Sequence, residues 1–355
     1  MKKILLVDTG LPYDMNTLKE KPLGGAETSL FLLGQALAYQ GESVAILNTA
    51  GIFQRHEYLP FVISPLNEYN HYINETEIVI CNRSIPEFIY KNASSKQIFL
   101  YCHDAYDQPA PQWFAANPKI FSLFKNIFMV SEWQKKTFRD YLNFPEDKMI
   151  VIGNPIDPTF HEGFSKRNEN RLIFASIPYK GLEALPDIFL QVSLQTKKEI
   201  ELHVYSSMGL YNRPEEDKEY EKIFRTLISM KGVTLFKPVD YRTLAKRMTE
   251  ASFYVHPCLY HETFGMALVQ AQAAGVIPIC MNNGAVNEVV INNETGYIID
   301  HTTILSKQGF TLFTDKLSEA ICADSKSFFR MRTKAIKFSH EFWNTKIAAK
   351  CSKYF

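Results

Sequence analysis

The chain has 355 residues, a formal net charge of +1, and a composition of 46% hydrophobic and 22% charged residues. This length exceeds what one hydrophobic core usually supports, so it predicts two domains of an ordinary, well-packed protein. Because the net charge is close to zero, there is no electrostatic reason to expect nucleic acid or an anionic membrane as a partner.

The cysteines and the apolar runs indicate in which cellular compartment the protein is expected. The six cysteines are scattered, with neither a CxxC pair nor metal-ligand spacing, which is typical of a reducing compartment. The apolar run at residues 4–7 is too short for the core of a signal peptide, and no run of about 18 apolar residues follows it. We therefore expect a cytoplasmic protein, with the inner face of the membrane as the alternative location.

Short apolar runs alternate with helix-like stretches along the chain. The predicted strands of the first half are residues 3–7, 43–47, 77–81, 97–101 and 127–130. Those of the second half are residues 171–175, 200–205, 233–236, 253–256 and 276–280. Their apolar runs are continuous, as in parallel strands that are covered on both faces. This alternation predicts right-handed βαβ units and the α/β class.

Two features of the first half are candidates for ligand binding. Gly24 and Gly25 open an amphipathic helix after the first strand, where a glycine pair lets a ligand approach the backbone. A simple turn is the alternative interpretation of that pair. His103 closes the fourth predicted strand, where it can hydrogen-bond a ligand hydroxyl or take a proton near neutrality. A structural histidine at a strand end is the alternative there.

A polar segment separates the two halves. Residues 161–170 lack a periodic apolar face and precede a new strand, so they form the predicted boundary. We expect one domain at residues 1–160, a second at residues 161–338, and a C-terminal helix at residues 339–355. The apolar positions of that last helix allow it to cross back to the N-terminal domain.

The second half opens with a loop that contains a basic residue. Ser176 and Lys180 follow its first predicted strand. Lys180 offers a compact positive charge that suits a diphosphate leaving group. A solvated surface lysine is the other interpretation.

The most informative segment covers residues 254–275 and reads YVHPCLYHETFGMALVQAQAAG. It predicts a strand, a loop, a helix from about Phe264 and a stop at the last glycine. In an open α/β sheet the loops at the carboxyl ends of the strands hold the ligand. A helix that begins there offers free backbone N–H groups to a diphosphate, and Gly265 leaves room for phosphate oxygens.

Glu262 and Gln270 flank the start of that helix. Eight helical residues rise about 12 Å, which suits contacts to the two ends of an extended ligand. The two side chains are too far apart to share one reacting atom, so the spacing favours binding a long ligand over hydrolysing a small one.

Several enzyme classes are excluded by missing motifs. The first strand is not followed by G-x-G-x-x-G, so a nicotinamide or flavin oxidoreductase is disfavoured. The chain lacks a P-loop motif and also lacks any Asp-x-Asp tripeptide of the kind that holds a catalytic metal in other transferases. We therefore expect no cofactor and no catalytic divalent metal.

The segment at Glu262 resembles the donor site of retaining glycosyltransferases of the GT-B fold, family 4, also called glycosyltransferase group 1. That family's signature is Glu, any seven residues, Glu. The GGAE sequence at residues 24–27 resembles its first glycine-rich loop, and Gly284, Glu288 and Gly296 follow its spacing after the donor helix. The resemblance implies an α/β, GT-B architecture of two Rossmann-like domains whose parallel sheets face a central cleft.

The resemblance also implies an activity. A hexosyl- or related glycosyltransferase of the EC 2.4 class would move a sugar from a nucleotide-sugar donor to a hydroxyl acceptor with retention of configuration and without a metal. The implied acceptor is a glycan or a lipid-linked molecule in surface polysaccharide or glycoconjugate synthesis. The first domain would bind the acceptor and the second the nucleotide-sugar.

Individual residues receive roles from the same resemblance. The implied catalytic residues are Glu262, His103 and Lys180. The implied donor-binding residues are Gly24, Gly25, Ser176, Thr263, Phe264, Gly265, Met266 and Gln270. The chain departs from the family where Gln270 replaces the second Glu, which binds the ribose hydroxyls, and where Ser176 stands near the place of an Arg.

Those two departures leave another class of function open, namely a non-catalytic member of the fold that binds nucleotide-sugar or glycan.

Peripheral membrane contact is a separate question. Residues 113–139 mix aromatic and basic side chains. Such a segment can contact a membrane that carries a lipid-linked acceptor, but an ordinary solvated helix face is the favoured interpretation.

Overall fold

A computed structural model of the chain describes residues 1–92, 96–161, 167–301 and 303–355. Residues 162–166 of the predicted boundary segment lie outside this set. The chain divides into two compact units. Unit 1 comprises Met1–Leu18, Leu23–Asp157 and Phe342–Phe355, and unit 2 comprises Lys19–Pro22 and Pro158–Glu341.

Unit 1 contains an eight-stranded sheet of order β3-β4-β2-β1-β5-β6-β7-β8. All neighbouring strands are parallel except β3 and β4. The strands are β1 (Lys3–Asp8), β2 (Ser43–Asn48), β3 (Gln54–Arg55), β4 (Phe61–Pro65), β5 (Ile78–Asn82), β6 (Gln97–Tyr101), β7 (Phe124–Met129) and β8 (Met149–Val151).

The helices before residue 158 connect these strands or flank them. They are α1 (Thr17–Glu20), α2 (Gly25–Tyr39), α3 (Tyr69–Ile73), α4 (Glu87–Lys91), α5 (Pro109–Ala116) and α6 (Glu132–Leu142). Residues 113–139 therefore span the end of α5, strand β7 and most of α6, and they do not form one continuous helix face.

The strands of unit 1 are buried on both faces. Leu5 on β1 lies in register with Val79 on β5, which in turn lies beside Ile98 on β6, and all three are buried in one core cluster. Residues that point to the other face, such as Leu6 and Phe99, are equally buried. This double burial explains why the strand sequences are continuously apolar, as expected for a parallel sheet.

Unit 2 contains a six-stranded parallel sheet of order β11-β10-β9-β12-β13-β14. Its strands are β9 (Arg171–Ala175), β10 (Glu201–Tyr205), β11 (Val233–Phe236), β12 (Phe253–His256), β13 (Ile277–Met281) and β14 (Tyr297–Ile299). Its helices are α7 (Leu185–Thr196), α8 (Glu221–Ser229), α9 (Tyr241–Thr249), α10 (Met266–Ala273), α11 (Val286–Val289), α12 (Lys307–Cys322) and α13 (Ser325–Ser339).

The C-terminal segment returns to unit 1. Helix α14 (Asn344–Ser352) buries Ile347, Ala348 and Cys351 and packs against α2. The backbone N–H of Ile156 donates to the carbonyl of Phe342 at 2.8 Å, which fixes the entry to this segment.

Each sheet has a point at which its strand order reverses. In unit 1 the chain builds outward from β1 to β2 and β4, and then continues on the other side with β5. In unit 2 it builds outward from β9 to β10 and β11, and then continues on the other side with β12. The loops that leave such a pair diverge at the carboxyl ends of the strands, which leaves a crevice where ligands bind in open α/β sheets. The α/β class with two parallel-sheet domains is confirmed.

Among the described residues, no helix combines the length and the apolar character needed to cross a membrane.

Candidate functional site

Glu262 lies in the loop between β12 and α10 and is only 5% exposed. Its backbone pairs with that of Gly284, and its carbonyl accepts a 2.7 Å hydrogen bond from the N–H of Ala285. Gly284 has φ +72, and a Cβ there would collide with the backbone of Glu262. A side chain at position 284 would therefore separate the two segments that hold Glu262 in place.

Lys180 reaches the same point from the loop after β9. It ends a 3₁₀ turn, Pro178–Lys180, and Gly181 follows in the left-handed conformation with φ +106. A Cβ at Gly181 would lie 2.7 Å from the carbonyl oxygen of Pro257, so the β9 and β12 loops touch here. The Lys180 ammonium lies 2.7 Å and 2.9 Å from the two carboxylate oxygens of Glu262.

This ion pair is charged at neutral pH. Burial alone would raise the pKa of Glu262, but the Lys180 ammonium and the nearby His256 ring hold that pKa well below its usual range. Burial likewise acts to lower the pKa of Lys180, and the charge of Glu262 reverses this effect and raises it. The Lys180 side chain keeps 26% of its surface exposed, so this ion pair is not sealed inside the core.

Two further side chains border the carboxylate. The Nε2 atom of His256 lies 3.2 Å from Oε1 of Glu262, and the Sγ atom of Cys258 lies 3.7 Å from the same oxygen. Both residues are 1% exposed. The sequence offered a weak signal for their proximity, because both occupy the few residues between the strand and Glu262.

Helix α10 begins one turn beyond Glu262. Gly265 is its N-cap with φ +92, and the helix proper starts at Met266 rather than at the predicted Phe264. Phe264 is buried, whereas Thr263 and Met266 are half-buried. Gln270 lies within the second turn and is 8% exposed. The start of α10, with its free backbone N–H groups, therefore lies a few residues after Glu262.

The predicted residues of unit 2 converge on the reversal point of its sheet. Ser176 is half-buried directly after β9, and Lys180 follows in the same loop. Glu262 and Gly265 come from the loop after the neighbouring strand β12. Lys180 and Glu262 are in direct contact. Gly24, Gly25 and His103 belong to unit 1.

Unit 1 has its own polar cluster at the carboxyl ends of β1 and β5. The Asn82 amide donates to Asp8 at 3.1 Å, and the N–H of Gly10 donates to Asp8 at 2.9 Å. Arg83 lies 2.9 Å from Asp104 and 3.7 Å from the buried Glu27. Asp8 and Arg83 were not predicted from the sequence, although an acidic residue that directly ends an apolar strand is a usable signal for Asp8.

Burial raises the pKa of Asp8 to about 6, and the charge of Glu27 adds to this effect. Hydrogen bonds from Gly10 and Asn82 act in the opposite direction. Asp8 is thus a carboxyl group that titrates much closer to neutrality than an ordinary aspartate.

The glycine pair lies at the start of α2, as predicted. Gly24 is the N-cap and Gly25 the first helical residue, and the carbonyl of Gly24 accepts the N–H of Thr28 at 2.9 Å. Glu27 of the same motif turns inward and is 2% exposed.

His103 follows β6 and is 9% exposed, with its ring 4.2 Å from that of Tyr101. Burial lowers the pKa of His103 to about 3, and the positive charge of Arg83 contributes. The expectation that it takes a proton near neutrality is therefore wrong, because the buried ring is neutral at pH 7. A neutral imidazole still hydrogen-bonds a hydroxyl group.

Comparison with known proteins gives this site a family. The family model described as "Glycosyl transferases group 1" matches residues 161–307. This stretch of unit 2 is similar to that family. This match contains the Lys180–Glu262 pair and helix α10, and the likeness to glycosyltransferase group 1 that the sequence indicated is confirmed. No curated protein matches the chain by sequence.

Solved structures extend the likeness beyond this stretch. A glycosyltransferase from Rickettsia africae is 15% identical with a TM-score of 0.72, and the match covers 99% of this chain and 97% of that one. Sucrose-phosphate synthase from Thermosynechococcus elongatus is 14% identical with a TM-score of 0.74, at 99% and 98% coverage. The Anabaena HepE protein, solved with UDP-glucose, is 15% identical with a TM-score of 0.71, at 99% coverage of both chains. At these identities the likeness shows the fold, which is of the GT-B type.

Proposed function

We propose that this chain transfers a sugar from a nucleotide-sugar donor to a hydroxyl group of a glycan or lipid-linked acceptor, with retention of configuration. The observation that carries the proposal is the buried Lys180–Glu262 pair beside the start of α10, at the strand-order reversal of the sheet. The pair lies within the stretch that is similar to glycosyltransferase group 1. The solved complex of Anabaena HepE with UDP-glucose supports a UDP-sugar as the first donor to test.

The donor would extend along the site in three parts. Glu262 would accept hydrogen bonds from the hydroxyl groups of the sugar. Gly265 and the first turn of α10 would hold the diphosphate with backbone N–H groups, and Lys180 would add its positive charge. Gln270 would contact the ribose hydroxyls without the charge assistance of a carboxylate, so that contact would be weaker.

Catalysis would depend on positioning and charge stabilisation. The diphosphate would leave from the same face on which the acceptor attacks, and its departing oxygen would take the acceptor's proton. Lys180 and the start of α10 would stabilise the negative charge that develops on the leaving group, the role that a divalent metal has in other transferases. The low pKa of Glu262 keeps it a carboxylate that is held by Lys180 rather than a general acid.

Unit 1 would bind the acceptor, with His103 as a neutral hydrogen-bonding group. The glycine pair at the start of α2 would let a ligand approach the backbone. Synthesis of surface polysaccharide or a glycoconjugate is the process in which such a reaction would occur.

A non-catalytic sugar-binding protein is the second candidate, because Gln270 and Ser176 replace charged residues that the family resemblance leads us to expect. The decisive assay measures free nucleotide released from UDP-, GDP- and ADP-sugars in the presence of acceptor extracts, followed by NMR analysis of the product's anomeric configuration. Release with a retained configuration is expected. Inverted product would contradict the retaining mechanism, and binding without any release would favour the second candidate.

A further inference from the structure

His256, Cys258 and Glu262 bring three different metal-ligating groups to one buried point of unit 2. Their ligand atoms all lie within 4.8 Å of one another. The edges measured from Oε1 of Glu262 are 3.2 Å to Nε2 of His256 and 3.7 Å to Sγ of Cys258. A tetrahedral zinc site with ordinary bond lengths has ligand–ligand edges of about 3.3 to 3.7 Å. The two edges at Glu262 are close to these values, and the third, between His256 and Cys258, is no longer than 4.8 Å.

The His256 ring gives independent support. It is 1% exposed, and neither of its ring nitrogens makes a hydrogen bond to any residue that the structure describes. Its Nε2 atom lies 3.2 Å from Oε1 of Glu262, close enough to act on that carboxylate. Buried polar atoms without a partner are rare and costly, and an ion is one of the ordinary explanations.

We propose that His256, Cys258 and Glu262 form a binding site for a zinc-like divalent cation, and that this cation competes with Lys180 for the carboxylate of Glu262. The mixed nitrogen, sulfur and oxygen ligands favour Zn²⁺ or Co²⁺ over Mg²⁺, which prefers octahedral oxygen ligands.

The exchange balances in atoms and charge. Metal bonds form to Nε2, Sγ and Oε1, the S–H bond of Cys258 breaks, and its proton passes to solvent. Lys180 remains protonated and turns outward, which its partial exposure allows. Before the exchange, the Glu262 carboxylate, the Lys180 ammonium and the Cys258 thiol together have zero net charge. After it, the Glu262 carboxylate, the Cys258 thiolate and the divalent cation at the same place also have zero net charge.

One consequence rests on the proposed function. If Glu262 binds the donor sugar, a bound cation removes both Glu262 and Lys180 from the donor, so zinc would inhibit this enzyme rather than assist it. The metal site itself does not depend on that assignment.

The test uses the full chain in a Cys322→Ala background, because Cys322 is an exposed thiol that could bind metal by itself. Titration with Co²⁺ should give a thiolate-to-cobalt charge-transfer band that saturates at one equivalent. Cys258→Ala and the near-isosteric Cys258→Ser should abolish that band and weaken Zn²⁺ binding about 100-fold or more. Cys280→Ala is the matched control, since this buried thiol lies outside the three ligands and should leave the band intact.

A second variant tests the competition. Lys180→Met removes the competing ammonium and should tighten Zn²⁺ binding by calorimetry, by about tenfold or more. An absent band, or a band that persists in Cys258→Ala, would overturn the metal site. Unchanged zinc affinity in Lys180→Met would overturn the competition. Failure of nucleotide release alone would contradict the proposed function and leave the cobalt result unaffected.

Discussion

At the scale of single residues, the Lys180–Glu262 pair is a buried ion pair to which the proposed function also assigns donor binding. A buried carboxylate that loses its partner leaves an uncompensated charge, which is more costly than losing both charges together. The contact of both carboxylate oxygens with one ammonium makes this pair the most strongly coupled feature of the site.

We therefore predict that Lys180→Met lowers the free energy of unfolding by about 3 kcal/mol, because Glu262 stays buried and unpaired. The double variant Lys180→Met with Glu262→Gln should recover part of this loss. Urea denaturation of the two single variants and the double variant provides the measurement. Losses that simply add would show that the two side chains do not interact energetically.

His103 provides a second prediction at this scale. Its ring is neutral because burial and Arg83 lower its pKa to about 3. In an NMR titration from pH 8 to pH 5 we expect its imidazole C–H resonance to stay constant, and His103→Asn identifies the signal. A shift with a midpoint near pH 6.5, the ordinary histidine value, would contradict the burial argument.

Asp8 provides the third prediction. Its contribution to stability changes with pH in the opposite direction to that of an ordinary salt-bridged aspartate. Its pKa of about 6 exceeds the unfolded value of 3.8, so the folded state binds the proton more tightly. This contribution to stability is complete below pH 3.8 and is lost as the pH rises through 6. The unfolding free energy of Asp8→Asn relative to wild type should thus rise by up to about 3 kcal/mol from pH 4 to pH 8.

The difference between the two proteins, followed by denaturation at a series of pH values, isolates this group from the other carboxylates. A difference that is independent of pH would show that Asp8 titrates like an exposed aspartate.

At the scale of the elements, the loops after β9 and β12 are held together by glycine positions. Gly181 has φ +106 and would place a Cβ against the carbonyl of Pro257. Gly41 has φ +91 but has nothing within 4 Å of a Cβ. The two positions share the backbone conformation and differ only in the contact.

We predict that Gly41→Ala costs about 1 kcal/mol, which is the strain of a left-handed backbone alone. Gly181→Ala should cost clearly more, and it should also lower the catalytic rate because it moves Lys180 away from Glu262. Thermal denaturation and nucleotide release measured on both variants make the comparison. Equal losses of stability would show that the contact with Pro257 contributes nothing.

The sequence predicted most strands well and missed several of the outer ones. The continuous apolar runs predicted β1, β2, β5, β6 and β9 to within one residue. It missed β3, β4, β8 and β14, because their residues are few or partly polar and their pairing depends on neighbours distant in the chain. The start of α10 moved to Met266, because Gly265 has a left-handed backbone that a helix cannot contain.

The site was predictable only in part for a related reason. Glu262, Gly265 and Gly284 lie in a segment whose spacing resembles a known family. The proximity of His256 and Cys258 to Glu262 depends on how the loop after β12 folds, and the order of residues in the sequence does not show that path. His103 was selected for its position, but its low pKa follows from tertiary burial and from Arg83.

At the scale of the whole molecule, the same arrangement occurs in both units. Each unit has a parallel sheet whose strand order reverses once, and each concentrates polar side chains at the carboxyl ends of the strands that flank the reversal. Unit 2 presents a cation, a carboxylate and a helix start, which suit a nucleotide-sugar. Unit 1 presents carboxyl and guanidinium groups, to which the proposed function assigns the hydroxyl groups of an acceptor.

The central claim is that the Lys180–Glu262 site turns over a nucleotide-sugar. The most direct measurement is the rate of nucleotide release from the best donor of the panel, compared between wild type and Glu262→Gln, which keeps the shape of the side chain and removes its charge. We predict a fall in kcat/KM of about 100-fold or more, with the fold retained by circular dichroism. An unchanged rate in Glu262→Gln, or a wild-type protein that binds the donor and never releases nucleotide, would contradict it.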